Sequence, residues 1–285
     1  MTGHPAGRSL ATVQQELIRA AARLKASGVP NPSRDARRLM AAALEVEPDR
    51  LTLHMADPMS SKQQQRFDGF CAARAGREPI SRILAERMFY GRQFKITPYV
   101  LDPRPETEML VEVALADPFD TILDIGTGSG AIVLSILAER PNTYAIATDI
   151  SADALKTASD NANTIGVADR VCFLRSDWYQ TVTGRFDLIV SNPPYITALE
   201  IAELEPEVLD HEPRIALTDG ADGLAAYREI ARGALGHLVS GGRILVEISP
   251  TQAQAVTNIF RSAGLTDIRV YPDLDGRDRV VAVRT

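Results

Sequence analysis

The sequence predicts an α/β fold, a doubly wound seven-stranded sheet preceded by a small bundle of helices. Three observations carry this expectation. After Leu110, short apolar runs alternate with helical stretches, the pattern of a parallel sheet covered on both faces. The residues up to about Ala75 instead place apolar side chains every three or four positions, as amphipathic helices do. A glycine-rich turn, Gly126 to Gly130, stands where the first apolar run gives way to a helix, at the edge where open sheets bind ligands.

The elements follow in order. From Leu10 to Ser27 the apolar positions Leu10, Val13, Leu17, Ala20, Ala21 and Leu24 mark one helix, stopped by Gly28 and Pro30. A second runs from Ser33, read as the N-cap, through Ala36, Leu39, Met40, Ala43 and Leu44 to the break at Pro48, and shorter helical stretches follow to Ala75. Residues 1–87 are thus expected to form a helical domain. Arg77 to Tyr90 loses periodicity, and Gln93 to Leu101 alternates enough to suggest extended structure, so 88–104 reads as a linker containing a β-hairpin.

Residues 105–285 form the sheet domain. Strands are expected at Thr121–Ile125, Tyr144–Ile150, Val171–Ser176, Phe186–Ser191 and Arg243–Ile248, with helices near Ala131–Glu139, Ala152–Thr164, Leu224–Leu238 and Thr251–Ser262. Right-handed crossovers make such a chain doubly wound. Asp267–Tyr271 and Arg279–Arg284 are joined only by PDLDGRD, too short for a helical crossover, so they should pair antiparallel at the sheet edge.

Composition bounds the function. With 285 residues, 45% hydrophobic and 24% charged, the chain is neither disordered nor fibrous. No apolar run approaches the roughly 18 to 20 residues that cross a bilayer, and the polar start Met1 to Arg8 lacks the apolar core of a secretory signal, so a cytoplasmic address without membrane partners is expected. Cys71 and Cys172 form no CxxC pair, which indicates no disulfide scaffold and no metal site, and both read as buried thiols. Up to Arg87 there are 14 Lys and Arg against 9 Asp and Glu, net +5, whereas the remainder has 17 against 28, net −11. Five excess charges fall far short of a dedicated nucleic-acid domain.

The chemistry concentrates in two places. Gly126, Thr127, Gly128, Ser129 and Gly130 form a turn in which side chains would block close backbone approach and positive φ is required, and Asp149 closes the second strand about 20 residues on, where a carboxylate accepts hydrogen bonds from ribose hydroxyls. This suggests an adenosine-containing ligand. The same spacing fits the fingerprint of NAD-binding domains, so the turn alone leaves both open. Asn192, Pro193, Pro194 and Tyr195 directly follow the fourth strand. Prolines cannot donate to a sheet ladder, so the strand ends here in a stiff loop. The Asn192 side-chain oxygen and the Pro193 carbonyl can each accept one hydrogen of a planar NH2 group, and Tyr195 offers a flat face for stacking.

With DIGTGSG upstream, FDLIVS followed by Asn192 to Tyr195 resembles the S-adenosylmethionine-dependent amino-methyltransferases. More narrowly, the chain is similar to the PrmC/HemK family, which methylates the glutamine side chain in the Gly-Gly-Gln motif of class I peptide-chain release factors and so modulates translation termination. REPISRIL from Arg77, DPRPETEMLVE from Asp102, SDW at Ser176 to Trp178, HEPRIAL from His211, DGLAAYREI from Asp222 and GRDRVV from Gly276 carry the resemblance over nearly the whole chain. Two departures stand out: AERMFYGRQF where the family usually has a glycine and an aromatic-rich stretch, and Asp102 where an apolar residue usually precedes Pro103.

The resemblance implies a class I (Rossmann-like) methyltransferase sheet with S-adenosylmethionine as cofactor. Gly126, Thr127, Gly128, Ser129 and Gly130 would wrap its methionine end, Asp149 the ribose and Trp178 the adenine, with Asn192 also beside it. Asn192, Pro193, Pro194 and Tyr195 would hold the substrate glutamine, and Asn192, Pro193 and Tyr195 would be catalytic. Arg104, Glu106 and Thr107 read equally well as closing over the cofactor or as a helix start formed by Pro105 and the acids beside it.

Three other functions stand against this one. A DNA adenine N6-methyltransferase would offer the same NH2 group to the same loop, but a duplex-reading domain should be large and basic, whereas the isoelectric point is near 5.4. A non-catalytic cofactor-binding module would not need an intact Asn192 to Tyr195. A dehydrogenase, third, needs a hydride-relay residue, and neither a TyrxxxLys pair nor a well-placed histidine among His4, His54, His211 and His237 supplies one. A monomer is the default form.

Overall fold

A computed structural model describes residues 11–285 of the chain. The polar start Met1 to Arg8, His4 and the Leu10 end of the first helix lie outside those residues. The chain divides into two compact units, one ending at Leu84 and the other beginning at Ala85.

The first unit is helical. Helix α1 (Val13–Ala26) begins at Thr12, whose hydroxyl and the Gln15 side chain cap each other's backbone N–H groups. Helix α2 (Pro32–Leu44) is capped two residues before the expected Ser33: Asn31 takes the N-cap position because Pro32, lacking an N–H and pre-set in φ, fits the first helical position. Helix α3 (Ser61–Ala75) has a second reciprocal cap, Ser60 with Gln63, and the short helix α4 (Ile80–Leu84) ends the unit. Val13, Leu17, Leu24, Leu39, Met40, Phe67 and Cys71 make one core. Across it the buried Arg74 donates from Nε to Asp35 Oδ2 at 2.7 Å, and burial pushes the Cys71 thiol up to about 11.

The second unit opens on the hairpin β1 (Glu86–Phe89) and β2 (Arg92–Lys95), whose first strand lies in the stretch where periodicity is lost. A 3-10 turn at Pro105–Thr107 leads into helix α5 (Glu108–Leu115). Strands β3 (Thr121–Ile125), β4 (Tyr144–Asp149), β5 (Val171–Arg175) and β6 (Phe186–Ser191) alternate with helices α6 (Ala131–Glu139) and α7 (Ala152–Ile165). Two single-turn helices, α8 (Pro206–Leu209) and α9 (Arg214–Leu217), cross the long loop to α10 (Ala225–His237). Strand β7 (Leu238–Glu247), helix α11 (Ala253–Ser262) and strands β8 (Thr266–Pro272) and β9 (Asp278–Arg284) complete the chain. Strand β7 starts five residues before the expected Arg243, because the Gly241–Gly242 step lies in a bulge within the β6 pairing.

The seven-stranded sheet has the order β5-β4-β3-β6-β7-β9-β8. Strands β3 to β7 pair parallel, and β9 runs antiparallel between β7 and the edge strand β8. Alternating side chains feed two cores. Ile122, Leu188, Val190 and Leu245 pack with α5, α6 and α7, while Leu123, Ile189, Ile244 and Val246 pack with α10 and α11. Because β5 is the other edge, Cys172 on it is exposed rather than buried as the sequence suggested. The order reverses direction between β3 and β6, so a crevice opens beyond their carboxyl ends, the usual ligand position of such sheets. No helix among the described residues is long and apolar enough to cross a membrane.

Candidate active site at the carboxyl edge of the sheet

A cavity of about 550 Å³ occupies that crevice. The turn after β3, the end of β4, the segment after β5 and the loop after β6 all reach it. Gly126, Thr127, Gly128, Ser129, Asp149, Trp178, Asn192, Pro193 and Pro194 line it together, whereas Gly130 and Tyr195 do not. Its other walls come from Tyr99 to Leu101, Pro103, Thr107 and the 215–229 region.

The glycine turn owes its shape to backbone freedom. Gly126, Gly128 and Gly130 have φ of 72°, 56° and 80°, conformations that strain any residue with a Cβ. At Gly126 and Gly128 a Cβ would meet nothing, so the space beside them belongs to the cavity. At Gly130 it would fall 2.7 Å from Leu134 Cδ1, so that glycine serves helix packing. Thr127 N donates to the Thr148 carbonyl at 2.8 Å, and Thr127 Oγ1 donates to Asp124 Oδ2 at 2.6 Å. Asn161 on α7 donates to the Ser129 carbonyl and exchanges hydrogen bonds with the backbone of Lys95, tying the turn to the β1–β2 hairpin.

Two carboxylates lie under and beside this turn. Asp124 is fully buried, and desolvation, with some repulsion from Asp149, pushes its carboxyl up to about 7 against the Thr127 hydrogen bond. Asp149 accepts from Gly128 N and Ser151 N, both at 2.9 Å, and burial raises its pKa against those bonds. Its position brings the turn, the end of β4 and the start of α7 onto one carboxylate. Trp178 follows β5 with φ of 51°, a left-handed backbone for a bulky residue, and its ring packs against the core on the α10 side while lining the cavity.

The β6 loop is held from several directions. Ser191 Oγ donates to the Ile125 carbonyl at 2.7 Å, joining the ends of the two central strands. Asn192 Nδ2 donates to Thr107 Oγ1 at 3.4 Å. Among the described residues no hydrogen bond takes the Pro193 carbonyl. Tyr195 packs its ring on the core, and its hydroxyl donates to Glu247 Oε1 at 3.3 Å at the end of β7. Gln252 Nε2 donates to the carbonyls of Tyr195 at 3.0 Å and Gly223 at 3.2 Å. Gly223 comes so close that a Cβ would fall 2.3 Å from the Tyr195 carbonyl oxygen.

Sequence reasoning missed Gly223, Glu247 and Gln252, and left Thr107 undecided. Pro105 to Thr107 does open helix α5, yet Thr107 is buried and faces the cavity. Arg104 points to Glu212 Oε1 at 3.5 Å and Asp102 Oδ2 at 3.9 Å, and Asp102, where an apolar residue was expected, is buried and also meets Arg87 at 3.5 Å. The signal that would have found Gly223 is the DG pair before a helix, and for Glu247 it is a carboxylate closing an apolar run.

Comparisons with known proteins agree with this architecture. The family model described as the PrmC N-terminal domain matches residues 15–84, and that described as the methyltransferase small domain matches 102–220. The chain is 53% identical over 270 residues to the release factor glutamine methyltransferase of Cereibacter sphaeroides, covering 94% of this chain and 97% of that protein. It is 42% identical to the protein of the same name from Agrobacterium fabrum, covering 96% and 98%. A crystal structure of a methyltransferase from Pyrococcus furiosus superposes with a TM-score of 0.52 at 17% identity, covering 67% of this chain and 87% of that one, which speaks for the fold alone. Helical unit, seven-stranded sheet, glycine turn and Asn-Pro-Pro-Tyr loop thus accompany 53% and 42% identity over nearly the whole length, and the chain belongs to the release factor glutamine methyltransferase family.

Proposed function

We propose that this enzyme transfers a methyl group from S-adenosylmethionine to the side-chain nitrogen of the glutamine in the Gly-Gly-Gln motif of class I release factors. The observation that carries the reading is the meeting of the glycine turn and the Asn192–Pro194 loop on one cavity at the point where the strand order reverses. The residues present fit the cofactor: open space beside Gly126 and Gly128, a carboxylate at Asp149 suited to ribose hydroxyls, and the Trp178 ring for adenine. When bound, S-adenosylmethionine supplies an electrophilic methyl group on a sulfonium.

The chain's own residues have to align a poor nucleophile. An amide lone pair is delocalised, so the nitrogen must be held in line and favoured in its pyramidal form. The Asn192 Oδ1 and Pro193 carbonyl can each accept one amide hydrogen, which leaves the lone pair free. Largely apolar walls, including Val100, Pro103, Ile132 and Pro194, keep the site poor in water, which strengthens those hydrogen bonds. No strong base is needed, since the nitrogen becomes acidic once it carries the methyl group. Tyr195 serves by holding the loop, with its ring in the core.

We infer a substrate-recognition role for the helical unit, whose excess of basic residues, net +5 up to Arg87, suits an acidic surface on a protein partner. A release-factor substrate also supports a cytoplasmic location. The isoelectric point near 5.4 argues against a duplex DNA substrate.

The test is incubation with labelled S-adenosylmethionine and, in separate tubes, a release factor, the same factor with its Gly-Gly-Gln glutamine replaced by alanine, and DNA. Label is expected in the first alone, and label in DNA or in the alanine factor sinks the reading. Asp149→Ala should weaken cofactor binding in calorimetry by about 1.5 to 3 kcal/mol per charged hydrogen bond lost. Because Asp149 also anchors Gly128 and Ser151, a melting curve accompanies the titration. Undiminished affinity in a folded variant removes Asp149 from the cofactor site.

A further inference from the structure

Trp178 sits in a conformation that its own bulk disfavours. With φ of 51° its Cβ crowds the backbone carbonyl, and an unrestrained turn would relax out of that state. Its neighbour Tyr179 is held on three sides by α10. The Tyr179 hydroxyl donates to the Ile230 carbonyl at 3.0 Å, and its ring stacks on His237, the centroids 4.5 Å apart and the planes 21° from parallel. His237 Nδ1 in turn donates to the Gly233 carbonyl at 2.9 Å. Gly233 is the third side: a Cβ there would overlap Cδ2 and Cε2 of the Tyr179 ring, so the ring lies on bare helix backbone. Glycine inside a helix is less stable than alanine, and here it makes the seat.

The chain on either side of the two aromatics has little slack. Ser176 N donates to the Asp149 carbonyl at 3.1 Å, Gln180 N to the Asp177 carbonyl at 3.1 Å, Thr181 N to Ser176 Oγ at 3.2 Å and Val182 N to the Tyr179 carbonyl at 3.0 Å. Between these ties the left-handed step sends the neighbouring rings to different places: Tyr179 onto Gly233 and His237, Trp178 to the wall of the cavity, which Ala225, Ala226 and Glu229 of α10 also line. We propose that Tyr179, seated on Gly233, is the positioning residue of Trp178: it holds the strained backbone in place and presents the indole to the adenine of S-adenosylmethionine as a ring already ordered. The inference rests on the reading of Trp178 as the adenine's partner, and it is independent of the methyl acceptor.

A planar base gains from an indole only when the two faces meet, and a free Trp side chain gives up rotamer freedom each time it meets one. A ring pinned through its neighbour's backbone has lost that freedom on folding. The strain at Trp178 is then carried by the contacts of Tyr179 with α10 and not by the cofactor, so binding draws only on the stacking itself. Loosening the Tyr179 seat should therefore weaken cofactor binding without removing any group that lines the cavity, because neither Tyr179 nor Gly233 is among the lining residues.

Trp178 is the only tryptophan of the chain, so its fluorescence reads this ring alone. In the full-length protein, S-adenosylhomocysteine should quench that emission. Gly233→Ala sets a methyl against the Tyr179 ring while adding a good helix former, so the variant should stay folded, as a melting curve checks. Its emission in the free protein should shift, and its Kd for S-adenosylhomocysteine in calorimetry should rise about tenfold. Tyr179→Ala should lose as much, and Tyr179→Phe, which keeps the ring on Gly233, should recover most of it. The double variant separates positioning from packing: in Trp178→Ala, Gly233→Ala should cost no further affinity, because both changes act through one ring. Losses that multiply in the double variant, or a Gly233→Ala protein with the emission and affinity of the wild type, overturn the proposal alone. Full affinity in Trp178→Ala overturns the adenine assignment and the proposal with it. None of these measurements uses a release factor, so a failure of the methyl-acceptor reading is seen separately, in the labelling test.

Discussion

Asn192→Ala is expected to lose at least about a hundredfold in kcat at saturating cofactor, about 2.7 kcal/mol of barrier, with folding and cofactor binding intact. The residue lines the cavity with its amide oxygen directed away from Thr107, so truncation removes the acceptor proposed to orient the substrate nitrogen. In the ground state this leaves one substrate N–H unpaired, a loss of roughly 1 to 3 kcal/mol. The rate should suffer more than binding, because the same hydrogen bond strengthens as the nitrogen becomes pyramidal. Asn192→Asp keeps an acceptor but adds a negative charge near the sulfonium, which stabilises the charged ground state and should also slow transfer. Single-turnover measurements on a release factor decide the matter, and near-normal turnover in Asn192→Ala removes the residue from the mechanism.

The second large effect is expected at a residue outside the substrate loop. Gly223 has φ of 70° and stands so near the loop that a Cβ would fall 2.3 Å from the Tyr195 carbonyl oxygen and 3.0 Å from Gln252 Nε2. Gly223→Ala therefore adds left-handed backbone strain of about 1 kcal/mol and forces the new methyl against the Tyr195 backbone, which no side-chain rotation relieves. Either Tyr195 moves, carrying Pro193 and Asn192 with it, or the Gln252 bridge breaks. A displacement of about 1 Å at a reacting group costs on the order of a hundredfold in rate. Gly223→Ala should thus approach Asn192→Ala in kcat while the glycine turn, and with it S-adenosylmethionine affinity, is spared. Equal loss of cofactor affinity in calorimetry would show that the strain spreads beyond the loop, and full activity would show that the loop yields without consequence.

Much of the fold is legible in the sequence. Strands buried on both faces read as continuous apolar runs, and β3 and β6 have the boundaries that TILDI and FDLIVS suggest. The last two strands pair antiparallel, as their short connection requires. The glycine turn was readable because positive φ at three alternate positions demands residues without a Cβ, and the Asn-Pro-Pro-Tyr loop because two prolines end a ladder wherever they occur. In each case the determining interactions lie within a few residues of one another. Local sequence therefore settles which element forms, where it stops and which turn closes it.

Tertiary structure alone decided what converges behind the site. Tyr195 and Glu247 are 52 residues apart, Tyr195 and Gln252 57, and Asn192 and Thr107 85. In the sequence Glu247 is one polar residue near the end of an apolar run. Only the placement of β7 beside β6, under a loop clamped by Gly223 and Gln252, removes it from water and raises its pKa. The exposure of Cys172 has the same origin, since β5 lies at the sheet edge by strand order and not by any feature of its own residues. Hydrogen-bond partners of buried polar groups depend on sheet order and crossover geometry summed over the whole unit, so they stay out of reach of local pattern even where every strand and turn is evident.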